Sequence, residues 1–131
     1  MADKQVISTD RAPSAIGPYS QAIKSGNMVF LSGQIPLDPV SMDIVEGDIE
    51  AQARQALDNL AAVATAAGGT LDDCVKLTIY MTDLVHFAVV NTTMQQYFQT
   101  PYPARATVEV SALPRGVQVE IDAIMILPTA A

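Results

Sequence analysis

The stretch Val117-Gln118-Val119-Glu120-Ile121-Asp122-Ala123-Ile124-Met125-Ile126-Leu127 decides the fold. It begins with strict alternation, with Val119 and Ile121 on one face and Glu120 and Asp122 on the other. From Ala123 onward both faces are apolar. A strand with one wet face keeps its alternation, so a strand that abandons it reads as central and covered on both sides.

Working outward, three more strands are legible. Arg105 to Val110 puts Ala106, Val108 and Val110 on one face and Arg105, Thr107 and Glu109 on the other. Cys74 to Met81 alternates, with Val75, Leu77, Ile79 and Met81 together. Met28-Val29-Phe30-Leu31 runs into Ser32-Gly33. Two segments carry helical spacing instead. Ile49, Ala53, Ala56, Leu57, Leu60, Val63, Ala64 and Ala67 follow Asp48, an N-cap type, and Gly68-Gly69 ends that helix. The second is expected from Thr82 or Asp83 to Gln99, with Phe87, Val90, Met94, Tyr97 and Phe98 as its stripe, stopped by Pro101 and Pro103.

The order is strands, helix, strand, helix, two strands: an α+β fold, a mixed β-sheet with two helices on one face. Loop Leu113-Pro114-Arg115-Gly116 alone suggests a hairpin between the last two strands. Two helices cover only one side of the sheet, and the apolar second face of 123–127 favours a partner on the other. Composition points the same way. Charged residues are 16% of the chain, against about 25% in ordinary soluble domains, while hydrophobic residues reach 50%.

Length and composition set further bounds. Residues 1–131 read as a single domain without repeats or linkers. One cysteine excludes an intrachain disulfide and suits a reducing compartment. Met1-Ala2-Asp3-Lys4-Gln5 lacks a basic-then-apolar leader, and no apolar run approaches a membrane span, so a cytoplasmic, soluble protein without membrane contact is expected. A net charge of −7 with seven scattered basic residues disfavours nucleic acid.

Few residues remain for chemistry. His86 and Cys74, one of each type, cannot supply a zinc site, and no metal is expected. His86 reads as a solvated helix residue and Cys74 as a core or edge residue with an ordinary thiol. No glycine-rich phosphate loop occurs. Arg105 and Glu120 stand on the more polar faces of their strands and are expected to face one broad polar region. As ordinary surface charges they would contribute little. Glu120, between Val119 and Ile121, should be partly buried, and a partly buried carboxylate needs a partner or a task. Tyr19 follows a Gly17-Pro18 turn and either lines a cleft or packs. Gly33 allows close approach to the backbone. Asn91 interrupts the apolar stripe of the second helix as a hydrogen bonder or a site residue.

These residues lie in longer motifs. Ile16-Gly17-Pro18-Tyr19-Ser20-Gln21, Ser32-Gly33-Gln34-Ile35-Pro36, Gln52-Ala53-Arg54-Gln55-Ala56-Leu57-Asp58-Asn59-Leu60, Pro103-Ala104-Arg105, Val108-Glu109-Val110-Ser111-Ala112-Leu113-Pro114 and Val119-Glu120-Ile121-Asp122-Ala123 together resemble the RidA/YjgF family. The match runs in order along nearly the whole chain. The resemblance implies a chorismate-mutase-like fold in a homotrimer with sites in clefts between subunits, so the last two strands need not form a hairpin. It also implies hydrolytic deamination of small 2-imino acids such as 2-aminoacrylate, 2-iminopropanoate and 2-iminobutanoate, without cofactor. On the family pattern Arg105 anchors the substrate carboxylate and Glu120 handles water and protons, while Tyr19, Gly33, Asn91 and Thr107 contribute to binding. Thr107 is a departure, since many bacterial members carry cysteine there. Backbone groups are thought to act at that position, so deamination should survive but thiol-based regulation would not. Family members have also been described as ribonucleases or translation inhibitors, and a non-catalytic ligand-binding or chaperone-like protein is a further alternative.

Overall fold

The computed structural model describes residues 3–128. Met1 and Ala2, the first residues of the segment read for a leader, lie outside the described residues. Six strands form one sheet: β1 (Gln5–Ile7), β2 (Ala22–Ser25), β3 (Met28–Gln34), β4 (Cys74–Met81), β5 (Ala104–Glu109) and β6 (Val119–Ile126), in the order β1-β2-β3-β6-β4-β5. The stretch that opened the sequence reading is therefore central. β6 runs antiparallel between β3 and β4. Its place in the order is the expected one, but only one of its faces is covered: Val119, Ile121, Ala123 and Met125 are buried under the helices, while Ile126 on the other face is 41% exposed.

The hairpin suggested by the loop 113–116 does not form. β5 pairs parallel with β4 at the sheet edge, and β6 crosses to the far side of β4. The reason is burial. Val119, Ile121, Ala123 and Met125 are at most 3% exposed, and an edge position would leave that face half covered.

Helix α1 (Ile49–Ala66) starts where expected, with the Asp48 carboxylate accepting from the Ala51 amide. It lays Ala53, Ala56, Leu57, Leu60, Val63 and Ala64 on the sheet, all fully buried. The second helix is shorter than its stripe suggested. A 3-10 turn at Leu84–His86 leads into α2 (Phe87–Met94), and Phe98 returns to the core from non-helical chain. The Asp83 side chain accepts from the Val85 amide and sets the tight first turn. One face assignment also changes. The register slips between Cys74 and Lys76, so Cys74 is buried and Val75 is exposed. Burial pushes the Cys74 thiol up to about 12, with Asp73 and Asp72 adding to it, which makes it an inert core group.

Pairing registers sort the side chains into two faces. Ala22, Leu31, Ala123, Leu77 and Arg105 form one row across the helix-covered face. Every member is buried except Arg105, which ends the row on the edge strand. On the open face lie Met28, Phe30, Ile124 and Ile126, with Tyr80, Glu120 and Asp122 beyond them. Phe30 is 45% exposed, a large apolar side chain without cover in a single chain.

Candidate active site

Arg105 sits where the sheet's buried row reaches its edge. The Arg105 Nη1 donates to Asn91 Oδ1 at 2.6 Å, and the guanidinium carbon lies 5.1 Å from the Phe87 ring centroid. Phe87 and Asn91 are one turn apart on α2, so a single helix face supplies both restraints. No carboxylate pairs with this guanidinium among the described residues. A cation held on two sides and left without an anion is a preset receptor for one. The cavity beside it, about 360 Å³, is lined by Asn91, Met94, Phe98, Tyr102 and Arg105 among others. Asn91 thus bonds Arg105 and lines this cavity, and Phe87, which sequence reasoning placed only in the core stripe, carries the other restraint on Arg105. Its position four residues before Asn91 was the available signal.

A second group of residues gathers elsewhere. Tyr19, Gly33, Gln34, Ile35, Met42, Pro114 and Arg115 border a cavity of about 240 Å³. The loop carrying Tyr19 is pinned from below by buried Gln21. Its amide Nε2 donates to the Thr9 and Pro13 carbonyls at 3.0 and 2.7 Å, and its Oε1 accepts from the Thr9 amide at 2.7 Å. Ser32 Oγ donates to the Ser20 carbonyl at 2.6 Å. The Tyr19 hydroxyl accepts a long bond from the Ile16 amide, 3.4 Å, and the ring stays 54% exposed.

Gly33 lies where β3 slips register against β6, between Leu31 and Gln34. A methyl group there would collide with the Glu120 carboxylate. Glycine is required for close approach, not for backbone conformation. Gly33→Ala should therefore displace the flexible Glu120 side chain and cost about 0.5–1.5 kcal/mol, the scale of one off-rotamer side chain. Adding Glu120→Ala to that variant should recover most of the loss in a thermal double-mutant cycle. Independent, additive costs would show that the two positions do not touch.

Glu120 is half-buried, and its carboxyl is held above the usual carboxylate range, first by desolvation and then by repulsion from Asp122. Asp122 accepts the Tyr80 hydroxyl at 3.0 Å. Burial, that bond and the Asp122 charge push the Tyr80 phenol up. Thr107 shares the helix-covered face with Arg105, two residues along β5, beside Ile79. Its hydroxyl is buried without a hydrogen-bond partner among the described residues. His86 is half-buried at the start of α2 and makes no side-chain cap.

One expectation fails here. Arg105 and Glu120 do not face one polar region. Leu77 pairs with Arg105 and points to the helices, whereas Tyr80 pairs with Glu120 and points to the open face. The single chain thus keeps the candidate residues in two groups, Arg105–Asn91–Thr107 on one side and Tyr19–Gly33–Glu120 on the other.

Residues 9–127 match the family model described as Endoribonuclease L-PSP. A RutC family protein of Pyrococcus horikoshii is 52% identical over 121 residues, covering 92% of this chain and 96% of its own. A Mus musculus protein named 2-iminobutanoate/2-iminopropanoate deaminase is 46% identical over 123 residues, covering 94% and 91%. The crystal structure of Escherichia coli TdcF with bound serine superposes with a TM-score of 0.91 at 44% identity, covering 95% of this chain and all of that one. The chain belongs to the endoribonuclease L-PSP family, also called the RidA/YjgF family.

Proposed function

We propose that this protein hydrolyses small 2-imino acids: R–C(=NH)–CO₂⁻ and water give R–C(=O)–CO₂⁻ and ammonia. The observation that carries the reading is the Arg105 guanidinium, restrained by Asn91 and Phe87 and left without an anion. Its planar fork suits a carboxylate in two parallel hydrogen bonds. Fixing the carboxylate fixes the adjacent C=N carbon for attack by water. Glu120 is the group suited to orient that water and take its proton. The resulting carbinolamine then expels ammonia as the nitrogen gains a proton. Tyr19, Gly33 and Thr107 shape the surroundings. The mouse relative's name and the serine in the TdcF structure support a small amino-acid-like ligand.

Because the two groups, half-sites in this reading, lie on opposite faces, the reading requires two chains. A homotrimer packing its open face (Phe30, Ile124, Ile126) inward would cover the exposed apolar surface and bring one chain's Arg105 toward a neighbour's Glu120. Residues 1–131 are read as one domain working in the cytoplasm. No helix among the described residues is long and apolar enough to cross a membrane.

The test is direct: 2-iminopropanoate or 2-iminobutanoate is generated by an amino-acid oxidase, and its decay is followed with and without protein. Acceleration above the spontaneous rate supports the reading, and its absence rejects it. RNA cleavage, which the family description names, finds little support in a chain of net charge −7.

The raised Glu120 carboxyl adds a pH signature. A group that works ionised and whose pKa is raised gains activity as pH rises through that raised value. The acid limb of kcat/KM, which reports the free enzyme, should therefore lie above the ordinary glutamate range. Asp122→Asn removes the like charge and should move the limb to lower pH. A limb unaffected by Asp122→Asn and by Glu120→Gln belongs to another group.

A further inference from the structure

The cavity holding Tyr19 and Gly33 contains a second arginine that the proposed reaction does not use. Arg115 lies in the turn between β5 and β6, in left-handed backbone at φ 59°, and is followed by Gly116 at φ 74°. Non-glycine residues pay for that conformation, and asparagine or glycine is its ordinary occupant. Backbone geometry therefore does not explain an arginine here, and the side chain must. Its Nη1 donates to the Met42 carbonyl at 2.6 Å, and Met42 is itself left-handed at φ 63°. That bond ties the 113–117 turn to the loop 36–45 and holds the guanidinium at the rim of the cavity. The remaining guanidinium donors have no side-chain or carboxylate partner among the described residues. Arg115 is exposed, so the group is accessible.

We infer that Arg115 is a specificity residue that binds a second, distal carboxylate on the substrate, extending the preferred class to imino acids derived from acidic amino acids. The inference rests on the proposed imine hydrolysis. In that reading Arg105 of one chain holds the C1 carboxylate, and the Tyr19–Gly33 cavity of its neighbour receives the side chain. At about 240 Å³ the cavity lies just below the usual 300–1,000 Å³ of ligand sites, which suits a short side chain ending at its rim. In a chain of net charge −7 an unpaired guanidinium at that rim is the local attraction for an anion.

The experiment compares 2-iminosuccinate with 2-iminopropanoate, made in place by oxidases acting on aspartate and alanine, in wild type, Arg115→Gln, Arg115→Ala and Arg115→Lys. The readout is the ratio of the two kcat/KM values, so any loss common to both substrates cancels. Glutamine keeps a neutral donor for the Met42 carbonyl, and lysine keeps the charge. The ratio should fall about 10- to 100-fold in the Gln and Ala variants and be largely retained by Lys, with the wild-type preference weakening in added salt. A ratio unchanged in Arg115→Ala, or preserved by Arg115→Gln, overturns the proposal and leaves Arg115 as a brace for Met42. Calorimetric binding of oxaloacetate against pyruvate, the matching keto acids, gives the same comparison without turnover. If wild type accelerates neither imine, the hydrolytic reading fails, and the binding ratio then decides the role of Arg115 by itself.

Discussion

Arg105→Ala is expected to lower kcat/KM for 2-iminopropanoate by roughly 100- to 1,000-fold. Losing two charge-assisted hydrogen bonds to the substrate carboxylate removes about 3–4 kcal/mol of transition-state stabilisation. The fold should tolerate the change. Arg105 is exposed at the end of an edge strand, and its lost contacts are one hydrogen bond to Asn91 and one aromatic face. Circular dichroism and a thermal melt close to wild type should accompany the lost activity. Arg105→Lys should fall between the two, since lysine keeps the charge without the planar fork. Imines hydrolyse unaided, so rates must be taken above the spontaneous background. Wild-type acceleration in Arg105→Ala would remove the anchor role.

The second large effect is a recovery. Arg105→Ala and Glu120→Gln chains, each nearly inactive alone, should regain activity when co-assembled, because the half-sites lie on opposite faces of the sheet. In a randomly mixed cyclic oligomer about one interface in four would pair an intact Arg105 with an intact Glu120. Two-tag purification removes the unmixed oligomers, and each mixed trimer then holds one intact interface in three, so up to about a third of wild-type activity should be recovered. Mixed oligomers that stay as inactive as their parents would show that the two residues do not meet across an interface. A chain that remains monomeric would reject the shared site outright.

How legible this was from sequence depended on the range of the interactions. The alternation of Val119, Ile121 and Asp122 and the double-faced run from Ala123 announced a central strand, because burial on each face is written into every second residue. The Asp48 cap and the apolar stripe of α1 were equally local. Glu120 read as partly buried for the same reason, from its own neighbours. What local pattern could not carry was pairing. Arg105 and Glu120 each looked like the polar position of an alternating strand, and nothing within either strand says which way it is turned relative to the other. The parallel docking of β5 on β4, with β6 carried across to β3, set that orientation. Val75 and Cys74 exchanged places because a single register slip inverts the faces, and α2 ended early although its apolar spacing continued to Phe98.

By itself the sequence determined the kinds of element, the central place of β6 and the burial of its Val119–Ile121 face, the absence of a local disulfide, and a family motif set running along the chain. Only the tertiary structure decided that Glu120 leans over Gly33, that Asn91 and Phe87 restrain Arg105, that Arg115 reaches Met42, and that the two groups of candidate residues face apart. The physical reason is that hydrophobic periodicity is encoded residue by residue. Strand order, register and the meeting of distant side chains follow instead from which arrangement buries the whole apolar surface at once.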